Sequence, residues 1–155
     1  MLPFVVSTVA VATTATLGSH YTQQSVRSSW YVSIRPVWAP PNWVFPVVWT
    51  TLYVALAVAM GLSIQGDSGF LTGLHVTNLV LNVVWCRTFF GQRDLEGGLG
   101  VIVGNVGVAV AIALQTRIDV VRWLMVPYIF WLLFATSLNV GAWHGSKAMR
   151  LRHSV

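Results

Sequence analysis

The chain has 155 residues, 55% of them hydrophobic and 8% charged, with mean hydropathy +0.70 and a formal net charge of +5. A soluble domain carries about 25% charged residues, so nine basic and four acidic side chains cannot cover a water-facing surface, and lipid must be the main solvent. The basic residues lie in short segments between apolar runs, which fits anionic headgroups and argues against a nucleic-acid partner.

In chain order, the first apolar run is residues 2–20, rich in Thr, Ser, Ala and Val and without the basic start of a secretory leader. Residues 21–41 form a polar, aromatic segment carrying Arg27, Arg35, Pro36, Pro40 and Pro41. A second run covers 43–64, and Gly66-Asp67-Ser68-Gly69 makes a turn before the third, at 70–90. A charged loop, Gly91 to Glu96, precedes the Gly- and Val-rich fourth run at 97–115. Arg117 to Arg122 interrupt the chain before the fifth, at 122–143, and a basic tail at 144–155 is expected to fray.

Each run approaches the ~20 residues that cross ~30 Å of hydrocarbon. None shows the alternating polarity of barrel strands, and only a helix satisfies its own backbone within such a run. The expected fold is an all-α integral membrane protein of one domain, 1–155. It is a five-transmembrane-helix bundle with a long structured loop between the first and second spans.

Five spans place the termini on opposite sides. Arg27, Arg35, Arg87, Arg93, Lys147, Arg150 and Arg152 share one side, against Arg117 and Arg122 on the other. Basic loops stay inside, so the C-terminus is expected in the cytoplasm.

Three spans carry stripes at helical spacing. Pro46, Trp49 and Tyr53 share one face of the second. His75, Asn78, Asn82, Trp85 and Phe89 do so on the third, and Tyr128, Trp131, Ala135 and Leu138 or Asn139 on the fifth. Amides in a membrane face the bundle interior, either bonding helix to helix or lining a pocket. Plain packing is the competing reading for the tryptophans. His75 is read as a structural hydrogen-bonding group, with haem ligation as the alternative. No His pair at i, i+4 exists to bind a metal, and Cys86, alone in an apolar run, is read as a buried thiol. Gly69-x-x-x-Gly73 and Gly100-x-x-x-Gly104 permit close helix approach, within a subunit or between two.

Tryptophan is over-represented, with eight residues, and Trp30, Trp38, Trp43 and Trp49 cluster around the first loop. The string Arg35-Pro-Val-Trp-Ala-Pro-Pro-Asn-Trp-Val-Phe-Pro-Val-Val-Trp-Thr-Thr-Leu-Tyr53 resembles the signature of the translocator / tryptophan-rich sensory protein family. Leu81-Asn82-Val-Val-Trp85 with Phe89-Phe90-Gly91 resembles its third-helix motif. Pro127-Tyr128-Ile-Phe-Trp131 with Phe134-Ala135-Thr136-Ser137-Leu138-Asn139 resembles its fifth-helix motif.

The resemblance implies a five-helix bundle, commonly a homodimer, with a pocket capped by loop 21–41. It implies that the pocket binds porphyrins, including haem, and in animal members cholesterol and synthetic drugs, with no obligatory cofactor. Combined with the stripes, it gives a candidate lining of Trp38, Trp43, Phe45, Trp49, Tyr53, Asn82, Trp85, Phe89, Trp131, Ala135 and Leu138. Arg27 and Arg35 are candidate partners for ligand carboxylates. Trp49 and Trp131 are the candidate redox residues if porphyrin is degraded by light and oxygen. The chain departs from animal members in carrying Trp143, not tyrosine, between Val140 and Lys147, and Gly97 where they have a pocket tryptophan. A bacterial cell membrane is favoured, or the mitochondrial outer membrane in a eukaryote. Three functions compete: a receptor, sensor or transporter for tetrapyrroles, a porphyrin-degrading enzyme, and a proton-coupled exporter. The absence of Asp or Glu from every span disfavours the exporter.

Overall fold

Proline and short polar side chains set where the helices begin. Pro3 sits in the first turn of α1 (Leu2–Ser25), where a missing N–H costs nothing. The Ser28 hydroxyl accepts from the Tyr31 amide at 3.3 Å and starts α2 (Ser29–Ile34). Pro46 occupies the first turn of α3 (Val44–Gly66), which ends one residue before Asp67. α4 (Gly69–Cys86) passes directly into one π-helical turn, Arg87–Gly91. The Asp94 carboxylate accepts from the Gly97 amide at 2.9 Å and caps α5 (Leu95–Gln115), and α6 (Asp119–Arg152) completes the chain. The computed structural model describes residues 1–152, with side chains described through Lys147.

Apart from α2, the helices are long and apolar enough to cross a membrane, α4 doing so together with its π turn. The chain is an integral membrane protein of all-α fold. Packing pairs α1 with α3, α3 with α6, α6 with α5, α5 with α4 and α4 with α1, so the five spans form a closed ring in that order. α2 and the segment to Asn42 bridge α1 and α3 at one end. There they lie against α6.

Outward faces carry exposed valines such as Val5, Val9, Val54, Val80 and Val103, together with Phe130 and Leu133, as lipid solvation allows. Polarity is inverted inside. Asn78, Asn82, Asn105 and Asn139 are each 1% exposed. Asn78 Nδ2 donates to Asn105 Oδ1 at 2.7 Å, and Asn82 and Asn105 both donate to the Tyr128 hydroxyl at 3.4 Å. Lipid tails are as apolar as leucine, so such bonds and close packing, more than burial, specify which helices meet. A second cluster closes the opposite end of the bundle. Ser63 donates to Asp67 and receives His75 Nε2 at 3.1 Å, while Thr116 donates to Asp67 at 2.8 Å. His75 thus serves as the structural group expected.

Two of the close approaches join separate segments at Gly61 and Gly141. A Cβ on Gly61 would lie 2.5 Å from the Phe4 ring, where α1 crosses α3. One on Gly141 of α6 would lie 2.7 Å from Pro36 Cγ and 3.2 Å from Trp38 Cζ2. Gly69, Gly73, Gly100 and Gly104 meet nothing within 4 Å, so both small-residue motifs face outward and neither closes a contact within the subunit.

Helix ends differ from the expected span ends. α1 continues five residues past 20, and α6 continues past 143 to Arg152, because hydropathy marks where hydrocarbon stops and not where the helix does. The tail expected to fray is therefore helical through Arg152, with 153–155 outside the described residues. The side chains of Arg150 and Arg152, used in the orientation count, also lie outside them.

Candidate functional site

Between the bridging segment and the buried amides lies a cavity of about 530 Å³, walled by α1, α3, α4 and α6. Its aromatic lining comes from two directions. From α3 and α6 come Phe45, Trp49, Tyr53 and Trp131, with Trp49 against Tyr53 at 5.4 Å and 31° and against Trp131 at 6.4 Å and 86°. From α4 and its π turn come Trp85, Phe89 and Phe90, with the Phe89 and Phe90 centroids 4.7 Å apart. A regular helix directs consecutive side chains about 100° apart. The wider π turn lets both phenylalanines reach the cavity, and it leaves the Phe90 carbonyl free to accept from Ser25 Oγ at 2.9 Å.

Hydrogen bonds to buried amides hold these rings. The Tyr53 hydroxyl donates to Asn82 Oδ1 at 3.0 Å. Trp85 Nε1 donates to Asn139 Oδ1 at 3.2 Å, and Asn139 Nδ2 donates to the Leu95 carbonyl at 2.8 Å. Trp131 Nε1 is buried without a partner, which leaves one donor in a lining residue unspent. At the top, the Arg35 guanidinium turns inward on its own loop, donating to the carbonyls of Ala39 at 3.1 Å and Pro40 at 2.5 Å. Burial raises the Tyr31 pKa above its usual value, offset in part by Arg35, so Tyr31 lines the cavity as a neutral phenol.

Eight of the expected lining residues share this cavity: Phe45, Trp49, Tyr53, Trp85, Phe89, Trp131, Ala135 and Leu138. Arg35 lines it too, with Nη2 committed to loop carbonyls and no carboxylate partner among the described residues. Four candidates fall elsewhere. Trp38 is 52% exposed, packs edge-on against Phe134 of α6 at 6.2 Å and does not line the cavity. Trp43, 68% exposed, stands at the start of α3 as an interfacial aromatic. Asn82 is buried behind Tyr53 and contributes through that hydroxyl, not by lining. Arg27 is exposed beyond α1, away from the cavity.

The sequence reading missed the α1 wall of Gly18, Ser19 and Thr22, the roof from Tyr31 and Ile34, and Cys86 beside Gly18. A signal for α1 was present, because the buried residues Ser7, Val11, Thr14, Gly18 and Ser25 fall at steps of three, four and seven. Among the described residues no group of three or more metal-ligating side chains occurs.

The sequence profile described as the TspO/MBR family matches residues 4–144. The chain is 35% identical over 146 residues to the tryptophan-rich protein TspO of Archaeoglobus fulgidus, covering 90% of this chain and 94% of that one. It is 33% identical over 127 residues to the tryptophan-rich sensory protein of Cereibacter sphaeroides, covering 79% and 76%. With the translocator protein of Sus scrofa it shares 32% over 130 residues, covering 78% and 77%.

Proposed function

The chain belongs to the TspO/MBR family, and from that premise we propose that it is a membrane receptor or sensor whose cavity binds porphyrins and other flat, apolar molecules. Its relatives' names, sensory protein and translocator protein, support a sensing or receptor role in the membrane. One observation carries the ligand class: a cavity of about 530 Å³, inside the ~300–1,000 Å³ range of small-molecule sites, lined from two directions by indole, phenol and phenyl rings. Offset or edge-on aromatic pairs contribute about 0.5–1.5 kcal/mol each beyond area burial, so a macrocycle meeting several rings gains more than an aliphatic chain would. Ligand carboxylates are met by Arg35, whose Nε and Nη1 make no hydrogen bond among the described residues, with Gln23 and Asn42 also on the lining. Titration with protoporphyrin in the dark tests the reading. Saturable quenching of tryptophan fluorescence is expected, and absence of saturation would remove it.

Ala135, 4% exposed and on the cavity wall, leaves room for a ligand at the α6 backbone. Ala135→Thr adds a β-branched side chain that bonds back one turn and overpacks the wall, at about 1–3 kcal/mol. The expected result is porphyrin affinity weaker by about five- to hundred-fold with unchanged circular dichroism. Unchanged affinity would mean that the ligand does not reach α6.

A second reading, light- and oxygen-dependent porphyrin degradation, is favoured by the contiguous Tyr53, Trp49 and Trp131 rings. Replacing both tryptophans with Phe should abolish product formation under illumination while retaining much of the dark binding. Product at the wild-type rate would exclude them as redox participants.

For orientation, the basic bias supports a cytoplasmic C-terminus, and a reporter fused after Val155 should be active there. Activity on the far side alone would reverse the assignment. A homodimer, as in the family, would use the outward Gly100–Gly104 face. Mass measurement in mild detergent tests it.

A further inference from the structure

At the same end as the bridging loop, but sharing no lining residue with the cavity, a second pocket of about 200 Å³ opens between Trp30 of α2 and Trp143 of α6. Arg93, Asp94 and the first residues of α5, Leu95 and Glu96, form one side of it. The Arg93 guanidinium lies 5.2 Å from the Trp30 ring centroid, and Lys147 Nζ lies 3.7 Å from that of Trp143. Each ring holds a cation at the pocket rim.

Arg93 is the one non-glycine residue with positive φ among the described residues, at 58°. That left-handed conformation is unfavourable for a side chain with a Cβ and is concentrated at functional positions. Asp94 spends one carboxylate oxygen on the Gly97 amide at 2.9 Å. Glu96, beside it, makes no side-chain hydrogen bond among the described residues. The sole ion pair among them, Arg122 with Asp119, lies at the opposite end of the bundle. Two cations and two carboxylates therefore border one small pocket without pairing with each other, and their charges sum to zero.

We propose that this pocket is a headgroup site for a zwitterion carrying a phosphodiester and a primary ammonium, that is, phosphatidylethanolamine of the surrounding bilayer. The phosphate lies between Arg93 and Lys147, and the ammonium donates to Glu96 and the free oxygen of Asp94. Location selects the lipid source. The pocket stands where the hydrocarbon-crossing part of α6 ends, framed by the two tryptophans that an interface favours. Balance of charge selects the headgroup. An anionic lipid without an amine brings its phosphate to two unanswered carboxylates. A quaternary ammonium has no N–H to give them and must compete for ring faces that Arg93 and Lys147 already cover.

Native mass spectrometry of the purified protein, titrated with dioleoyl phosphatidylethanolamine, phosphatidylglycerol and phosphatidylcholine, tests this. One phosphatidylethanolamine should be retained at least five-fold better than either competitor. Arg93→Ala and Lys147→Ala should each reduce that retention by five-fold or more, and Glu96→Gln should bring it down to the phosphatidylcholine level. All three positions are exposed, so circular dichroism should be unchanged in the variants. Equal retention of the three lipids, or retention unaffected by the Arg93 and Lys147 variants, would overturn the proposal. Displacement by soluble phosphoethanolamine at equal concentration would overturn the lipid source and assign the pocket to a free zwitterion.

Discussion

Asn139→Leu is expected to destabilise the bundle by about 2 kcal/mol and to weaken porphyrin binding in the same variant. Asn139 is 1% exposed and joins three helices: its amide donates to Leu95 at the start of α5 and accepts from Trp85 of α4. Leucine has similar size but leaves the Trp85 N–H buried without a partner, and orphaning a buried donor costs about 1–3 kcal/mol in water-soluble proteins. In membranes the average for an interhelical bond is nearer 0.6 kcal/mol, with a maximum of about 1.7, because the separated helices find other partners. Two lost bonds plus the misfit of a branched side chain give the intermediate figure. Thermal unfolding in detergent reads the stability. A double-mutant cycle with Trp85→Phe isolates the pair, with a coupling near 1 kcal/mol expected. Zero coupling would make the 3.2 Å separation incidental.

Gly141→Val should open the cavity. A Cβ there would fall 2.7 Å from Pro36 Cγ, and the pyrrolidine ring is fixed to its backbone, so the ring cannot swing aside as a long side chain would. The whole segment from Pro36 to Ala39, two of whose residues line the cavity, must lift from α6. Overpacking costs about 1–3 kcal/mol, and a rigid neighbour places this variant toward the upper end. Loss of porphyrin affinity of about hundred-fold is expected, mainly as faster dissociation, with helix content retained. Faster proteolysis within residues 36–42 should accompany it. Wild-type affinity together with wild-type proteolysis would show that the loop does not cover the ligand.

Spans were legible because a bilayer imposes one demand on every crossing segment, a continuous apolar run. Helical spacing also placed Trp49, Tyr53, Trp85, Trp131 and Ala135 on inward faces. It resolves direction and not depth, so it puts Asn82 in the lining although Tyr53 stands in front of it. Spacing of 3.6 residues cannot anticipate the π turn at Arg87–Gly91, so it singles out Phe89 and not Phe90. Pro36, Pro40 and Pro41 mark the segment 21–41, but nothing in the string Arg35 to Pro41 says that the guanidinium satisfies the carbonyls of Ala39 and Pro40. Trp38 and Trp43 belong to a shared motif that does not distinguish the inner from the outer side of that loop.

Six hydroxyls of α1 differ from the amides of the later helices in where their partners lie, whereas Ser25 at its end donates to the Phe90 carbonyl. Ser7, Thr13, Thr14, Thr16, Ser19 and Thr22 all donate to carbonyls three or four residues earlier in their own helix. Through Thr22, the hydroxyls of α1 therefore present few unmet donors to a bilayer before the later helices are made. Asn78, Asn82 and Trp85 of α4 instead find their partners on α3, α5 and α6, residues that for the most part are made afterwards. Until Tyr128 and Asn139 emerge from the ribosome, α4 carries unmet polar groups in lipid. A ribosome stalled before α6 would thus hold a nascent chain whose third span is the one most exposed to quality-control proteases.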